Sequence, residues 1–405
     1  MTPPKRQLKM PEFIGLMALL LATVAFSIDS MLPAMPEIAA EMSPDDPNRA
    51  QLILSAFVFG LGFGTFVAGP VSDAVGRKSA ILFGLGLYLT GALLGMVADN
   101  LTFLLAARAL QGFGASAPRV VGLALVRDLY GGRRMAQIMS FVMTVFLIVP
   151  AMAPSVGALI IAGFGWHGVF GAFLLLGLTS GTWLTLRQPE TLAPENRRPI
   201  RAGTLWRAVR EVLGHPMVRI YIAVLTLAFG QMFALLSSVQ QIYDVTFDMG
   251  ETFPIWFLCG GLITATGTIL NGTLVMRLGM RRMAMSAYGA QIAVSGVYLV
   301  LVTQDLLPVA LAFPAFFFWS TSVFFMAGLT FGNLNALALE PMGHIAGTAS
   351  SVVGAVSTVM AVAIAAPIGL AFNGTSVPLA IGTLICSTIA FFLMGKSREA
   401  GPAAA

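Results

Sequence analysis

Gly69-Pro70-Val71-Ser72-Asp73-Ala74-Val75-Gly76-Arg77-Lys78 is a short polar stretch between two long apolar runs, Leu52 to Ala68 and Ser79 to Ala98. It reads as a tight charged turn between two membrane spans. Apolar runs of roughly 20 residues recur on both sides of it, each long enough as a helix to cross a hydrocarbon core of about 30 Å. Lipid offers no partner to backbone N–H and C=O groups, so helix is the form that satisfies them within each segment. Composition agrees: 57% of the 405 residues are hydrophobic and 10% are charged, too little polar surface for a water-soluble chain of this length.

The net charge of +5 is a matter of orientation rather than of nucleic-acid binding. Placing the Arg77-Lys78 turn in the cytoplasm and alternating from there puts twenty of the 23 Lys and Arg on that side, among them Lys5, Arg6, Lys9, Arg127, Arg133, Arg134, Arg201, Arg281 and Arg282. Arg49 alone falls outside, where the loops hold Glu37, Glu41, Asp45, Asp46, Asp99, Asp244, Asp248, Glu251 and Asp305. This is the positive-inside pattern, and it predicts that both termini are cytoplasmic. The first apolar run is too long for a cleavable signal, has no small-residue cleavage site, and reads as a span.

Twelve spans are expected: 13–31, 52–71, 79–98, 101–126, 135–162 and 169–186, then 219–242, 253–276, 283–302, 307–333, 345–372 and 377–394. The fold class is therefore all-α and membranous, with two six-helix halves, residues 1–186 and 217–405. Residues 187–216 between them are rich in Arg, Pro and Glu and read as a cytoplasmic linker carrying a surface helix near Leu205 to Leu213. A shift of 203 residues lays Gly69, Gly76 and Lys78 over Gly272, Gly279 and Arg281, so the second half carries a worn copy of the turn, with Met276 where Asp73 stands.

Three ionisable residues fall inside spans: Asp29, Arg108 and Arg119. At a helix centre each costs about 2.5 to 3.5 kcal/mol on insertion scales, so a functional role with a partner or a wet cavity is the default meaning. Their positions in the second half hold Met232, Leu311 and Ser322, which places the ion chemistry in the first. Asp29, just before Pro33, is either an outer-end residue reaching water or a proton site. Drying a carboxyl favours its neutral form and a nearby guanidinium favours its charged form, so hydration of a cavity would act as the switch. Arg119 lies eleven residues after Arg108, three turns on and near the same face. An anionic substrate group, Asp29, or a structural ion pair are the partners open to it.

The Gly69 to Lys78 turn resembles the loop signature of the major facilitator superfamily of secondary transporters, where it lies between spans 2 and 3 on the cytoplasmic side. Arg108-Ala109-Leu110-Gln111-Gly112 resembles that family's span 4 motif, which implies a part in proton transfer for Arg108 and Gln111. Three further stretches are similar to the bicyclomycin and chloramphenicol resistance subfamily of drug/proton antiporters: Ile28 to Pro36, Ala124 to Tyr130, and Pro341 to Ser350. The resemblance implies a cytoplasmic gate of Gly69, Asp73, Gly76, Arg77, Lys78 and Asp128. It also implies an antiporter motif at Pro150, Pro154 and Gly157, although Ala153 and Ala158 stand where that motif has glycine. A substrate cavity lined by spans 1, 4, 7 and 10 would offer Arg119, Gln231, Ser237, Ser238, Gln240, Gln241, Trp319 and Asn333, with an aromatic wall of Phe316, Phe317, Phe318, Phe324 and Phe325. Aromatic stripes in spans more often face lipid or neighbouring helices, and His344 reads as a helix-end residue.

No Gly-x4-Gly-Lys-Ser/Thr phosphate-binding loop, metal-spaced His/Cys cluster or nucleophile elbow is present in the sequence. The expectation is a non-enzymatic inner-membrane antiporter without a cofactor, exchanging protons for an amphipathic drug-like molecule by alternating access. Its partners are a small-molecule substrate, protons and the bilayer, with no nucleic acid and the chain acting as a monomer. The rivals are a proton symporter importing an anionic metabolite and a non-transporting receptor, which would have no need of Asp29 and Arg108.

Overall fold

The computed structural model describes residues 8–200 and 202–399. Lys5, Arg6 and Arg201, counted above among the positive residues, lie outside them. The chain divides into two compact units after Leu205, inside the polar stretch between the halves.

The first unit holds α1 (Met10–Asp29), a short α2 (Met35–Met42), α3 (Leu52–Val75), α4 (Arg77–Met96), α5 (Leu101–Leu129), α6 (Gly132–Phe164) and α7 (His167–Arg187). The second unit holds a short α8 (Ala202–Gly214, which begins four residues before the division), α9 (Pro216–Gln241), α10 (Phe253–Leu278), α11 (Met280–Thr303), α12 (Val309–Leu339), α13 (Ala346–Leu370) and α14 (Val377–Glu399). Among the described residues ten segments are long and apolar enough to cross a membrane, one of them, Val309–Leu370, holds both α12 and α13, and α6 carries the shorter apolar helix Ile148–Phe164. The protein is thus a multi-pass membrane protein, and its described residues hold twelve long helices, the number anticipated.

Within the first unit α5 packs against α3 and α4, α1 against α5, α6 and α7, and α4 against α7. In the second, α12 packs against α10 and α11, α9 against α12, α13 and α14, and α11 against α14. Element for element the two patterns are the same, as a duplicated six-helix unit requires. Helices α3 and α5 approach closely where each lacks a side chain: a Cβ at Gly60 would strike the Ala109 carbonyl, and one at Gly112 the Phe57 carbonyl.

The polar turn between the second and third spans is shorter than its polarity suggests. Gly69 to Val75 remains helical, with Pro70 inside α3, and only Gly76 leaves the helix, at φ 106° and ψ 155°. Asp73 therefore sits on the last turn of α3 and Arg77 and Lys78 open α4. In the second unit Gly279, 203 residues on, makes the same break between α10 and α11 at φ 81° and ψ 152°. The linker also differs from a free connection, because residues 188–198 fold back onto the first unit.

Candidate functional site

The last turns of α1 are tied by their own hydroxyls. Thr23 Oγ1 donates to the Leu20 carbonyl, Ser27 Oγ to Thr23 and Ser30 Oγ to Phe26, each at 2.6 Å. Since Ser27 gives its proton to Thr23, the Tyr88 hydroxyl on α4 is the donor in its 2.8 Å bond to Ser27 Oγ. The Ser27 backbone carbonyl belongs to the final turn, whose carbonyls have no later helical N–H to accept. Arg108 fills that need: Nη2 donates to it at 2.8 Å and Nη1 donates to Gln111 Oε1 at 2.6 Å. The guanidinium also lies 4.5 Å from the Phe57 ring centroid and 5.7 Å from that of Phe173. No carboxylate pairs with it among the described residues, and its Nε and the Gln111 Nε2 are buried without a partner.

Asp29, the last residue of α1, is 5% exposed, and its carboxylate makes no hydrogen bond or ion pair among the described residues. Arg119 is half-buried and equally without a partner. The possible pairing of these two is not made, for a geometric reason. Arg108 already reaches the residue two before Asp29, and eleven further residues carry Arg119 about 16 Å along α5, toward the other end of α1; a Cβ at Gly122 there would lie 3.4 Å from Leu21 Cδ1. Pro150 and Pro154 lie inside α6, and Gly157, one turn on, packs on the backbone of Ser30, next to Asp29.

At the other end of α3 the charged groups converge. Arg77 donates to Asp73 through Nη1, to Ser72 Oγ at 2.6 Å through the same nitrogen, and to Asp128 Oδ2 at 3.0 Å through Nε. Sequence reasoning missed the group that closes this cluster, Glu190. Its carboxylate accepts the backbone N–H of Arg77 at 2.9 Å and of Lys78 at 3.1 Å, capping α4, and also those of Thr191 and Leu192 at 2.9 and 3.0 Å. Thr191 Oγ1 donates to Asp128, and Arg198 N–H to the Asp73 carbonyl at 2.8 Å. A Glu soon after a long span, with Pro before it, was the available signal.

The second unit turns several expected cavity residues inward. Trp319 is 2% exposed, donates Nε1 to Ser295 Oγ at 3.0 Å, and stacks on Tyr298 at 4.8 Å between centroids. Phe316 and Phe317 pack among Tyr243, Phe247, Trp256 and Phe313, whereas Phe318 is 66% exposed on the outer side. The anticipated wall is therefore in large part internal packing between helices, with some ring pairs edge to face and others tilted. Asn333 donates to Asn271 Oδ1 at 2.7 Å and Gln231 accepts from Ser387 at 3.0 Å. Gln231 Nε2 and Gln240 Oε1 are buried and unpaired, and Gln241 is half-buried at the end of α9. His344 stands in the turn before α13, its Nε2 2.5 Å from Glu211 Oε1 on α8.

Comparison with known proteins places this arrangement. Residues 17–366 match the profile described as Major Facilitator Superfamily. An uncharacterized MFS-type transporter, YdgK of Bacillus subtilis, is 30% identical, with 97% of each chain covered. A bicyclomycin resistance protein homolog of Haemophilus influenzae is 31% identical over 85% of each chain, and multidrug resistance protein MdtL of Escherichia coli is 28% identical over 58% of this chain and 59% of its own. Among solved structures, the xylose transporter XylE from E. coli, in a partially occluded inward open conformation, superposes with a TM-score of 0.72 at 14% identity, covering 96% of this chain and 97% of that one. At that identity the likeness speaks for the fold. The sequence relatives support the drug-resistance subfamily whose motifs the chain resembles. The chain belongs to the major facilitator superfamily and is a membrane transporter, not an enzyme.

Proposed function

We propose that the protein exports amphipathic, drug-like molecules across the bacterial inner membrane in exchange for protons, with both termini in the cytoplasm. The names of its bicyclomycin- and multidrug-resistance relatives support export of drugs. The observation that carries proton coupling is Asp29, a buried carboxyl with no fixed partner, two residues from the carbonyl that Arg108 holds. Asp29 takes the proton; Arg108 and Gln111 fix the end of α1 beside it; the exchange of one cargo for the other follows alternating access. The Gly69, Asp73, Gly76, Arg77, Lys78 and Asp128 cluster acts as the cytoplasmic gate, and Pro150, Pro154 and Gly157 shape α6 against α1. Gln231, Gln240, Gln241, Trp319 and Asn333 are the second-unit candidates for substrate contact, Gln231 and Gln240 first because they hold unused polar atoms. A second reading, import of an anionic metabolite by proton symport, rests on the unpartnered Arg119.

The test is proton flux in proteoliposomes with a trapped pH-sensitive dye, adding amphenicols, bicyclomycin, fluoroquinolones and lipophilic cations one at a time. Drug-dependent flux lost in Asp29→Asn is the expected result. Full coupled export by that variant would overturn the role of Asp29, and silence across the panel in the folded protein would favour the anionic symporter.

A further inference from the structure

The outer surface of the first unit carries a groove of about 310 Å³ between α4 and α7, walled by Leu82, Leu85 and Leu89 on one side and by Leu178, Thr182 and Thr185 on the other. Glycines open it. A Cβ at Gly86 would meet nothing within 4 Å, and one at Gly181 would only touch Leu85 at 3.6 Å. Exposed Leu178 and Leu186 form its rim, at 56% and 76% exposure. The groove has a charged end. Lys78 is one turn before Leu82 on the same stripe of α4, and its Nζ donates to the Thr185 carbonyl at 2.8 Å, at the groove's wall. An ammonium has three donors; the second and third have no protein acceptor here, and no carboxylate pairs with Lys78 among the described residues. Glu190 is occupied at the backbone N–H groups of α4.

The dimensions suit one occupant. The groove is lined along α4 from Leu82 to Leu89, and Lys78 lies one turn before that lining, so the run from the ammonium-bearing residue to Leu89 is eleven residues, about 16 Å at 1.5 Å per residue. That equals the depth of one leaflet, half of a hydrocarbon core of roughly 30 Å. We propose that the groove holds an acyl chain of an anionic phospholipid, with its phosphodiester on the Lys78 ammonium and the chain running past Leu82 and Gly86 to Leu89. Apolar walls with glycine gaps accept a chain of methylenes, while the ammonium at the interface selects the headgroup charge. A bound lipid would sit beside Arg77, whose carboxylate partners lie on α3 and α5. The site requires only that the protein sits in a bilayer, and stands apart from the direction of transport.

Native mass spectrometry of the full chain, with phosphatidylglycerol or phosphatidylcholine of matched chains, tests it. The unsubstituted protein should hold a first phosphatidylglycerol about fivefold more tightly than phosphatidylcholine, since a Lys near an anionic surface is worth roughly 1 kcal/mol. Lys78→Gln should erase that preference and retain the chain. Gly86→Leu should lose both lipids while keeping its thermal midpoint, because its Cβ enters open space, and Gly181→Leu on the opposite wall should do the same. Equal phosphatidylglycerol binding by all four proteins would overturn the site. So would a dimer that Gly86→Leu converts to monomer, which would make a second copy the occupant.

Discussion

Ser30 and Gly157 touch through their backbones: a Cβ at residue 157 would lie 3.0 Å from the Ser30 carbonyl carbon and 3.1 Å from its Cα, and would overlap the carbonyl oxygen. The middle of α6 is thus seated against the end of α1 at the residue following Asp29. Any side chain at 157 must push the two helices apart. Gly157→Val is expected to cost about 1 to 3 kcal/mol, the usual penalty for overpacking, and to reduce substrate-driven proton flux because it displaces Asp29. Gly163→Ala in the same helix meets nothing within 4 Å and serves as the control. Thermal midpoints and dye-reported flux of the two variants should separate; equal behaviour would show that α1 yields freely at Ser30.

Arg108→Lys keeps the charge and loses the fork. One ammonium cannot reproduce the separated Nη1 and Nη2 bonds to Gln111 and Ser27, nor the flat face over Phe57. A buried acceptor is left open, which costs about 1 to 3 kcal/mol. The expected result is a lower unfolding midpoint together with lost proton flux. Retention of both would mean that the positive charge alone matters at this position.

Glu190→Ala removes the acceptor of four backbone N–H groups at once. Loss of an N-terminal cap of this kind costs about 1 kcal/mol. Hydrogen–deuterium exchange should quicken at the amides of Arg77 and Lys78, with a smaller change in Glu190→Gln, which keeps one carbonyl oxygen. Unchanged exchange at those two amides would count against the Glu190 cap.

How much of this was written in the sequence depends on the range of the interaction. The twelve helices, the second-half copy of the Gly76 break and the isolation of three charges in apolar runs follow from local composition and spacing, and these were legible. The Arg77 cluster came from a motif. Tyr88 and Ser27 were not singled out: a Tyr in the run Ile81 to Leu89 announces that a buried hydroxyl needs a partner, but not that the partner is 61 residues away. The aromatic residues of α12 were ambiguous for the opposite reason. Their stripe is equally suited to lining a cavity and to packing on α10 and α11, and only the placement of Ser295 and Tyr298 shows where Trp319 points. Glu190 was hidden because its chain segment looked like solvated linker, and capping depends on where the chain folds back.

Gly76 and Gly279 provide a last comparison, because duplication has given them one backbone conformation and two surroundings. Both occupy positive φ with extended ψ, at 106° and 81°, a region that an L side chain enters at a cost of about 1 to 3 kcal/mol. Alanine at either position should therefore lower the thermal midpoint. At Gly279 that strain is the whole cost, since its Cβ would meet nothing within 4 Å. At Gly76 the Cβ would also enter the space of the Glu190 carboxylate and come within 3.3 Å of Arg197 Nη2, so the cap on α4 must be displaced as well. Gly76→Ala should lose more than Gly279→Ala by about the 1 kcal/mol of a helix cap, and the difference should vanish when each is combined with Glu190→Ala. If the two single variants lose equally, Glu190 moves aside without cost and does not hold the start of α4.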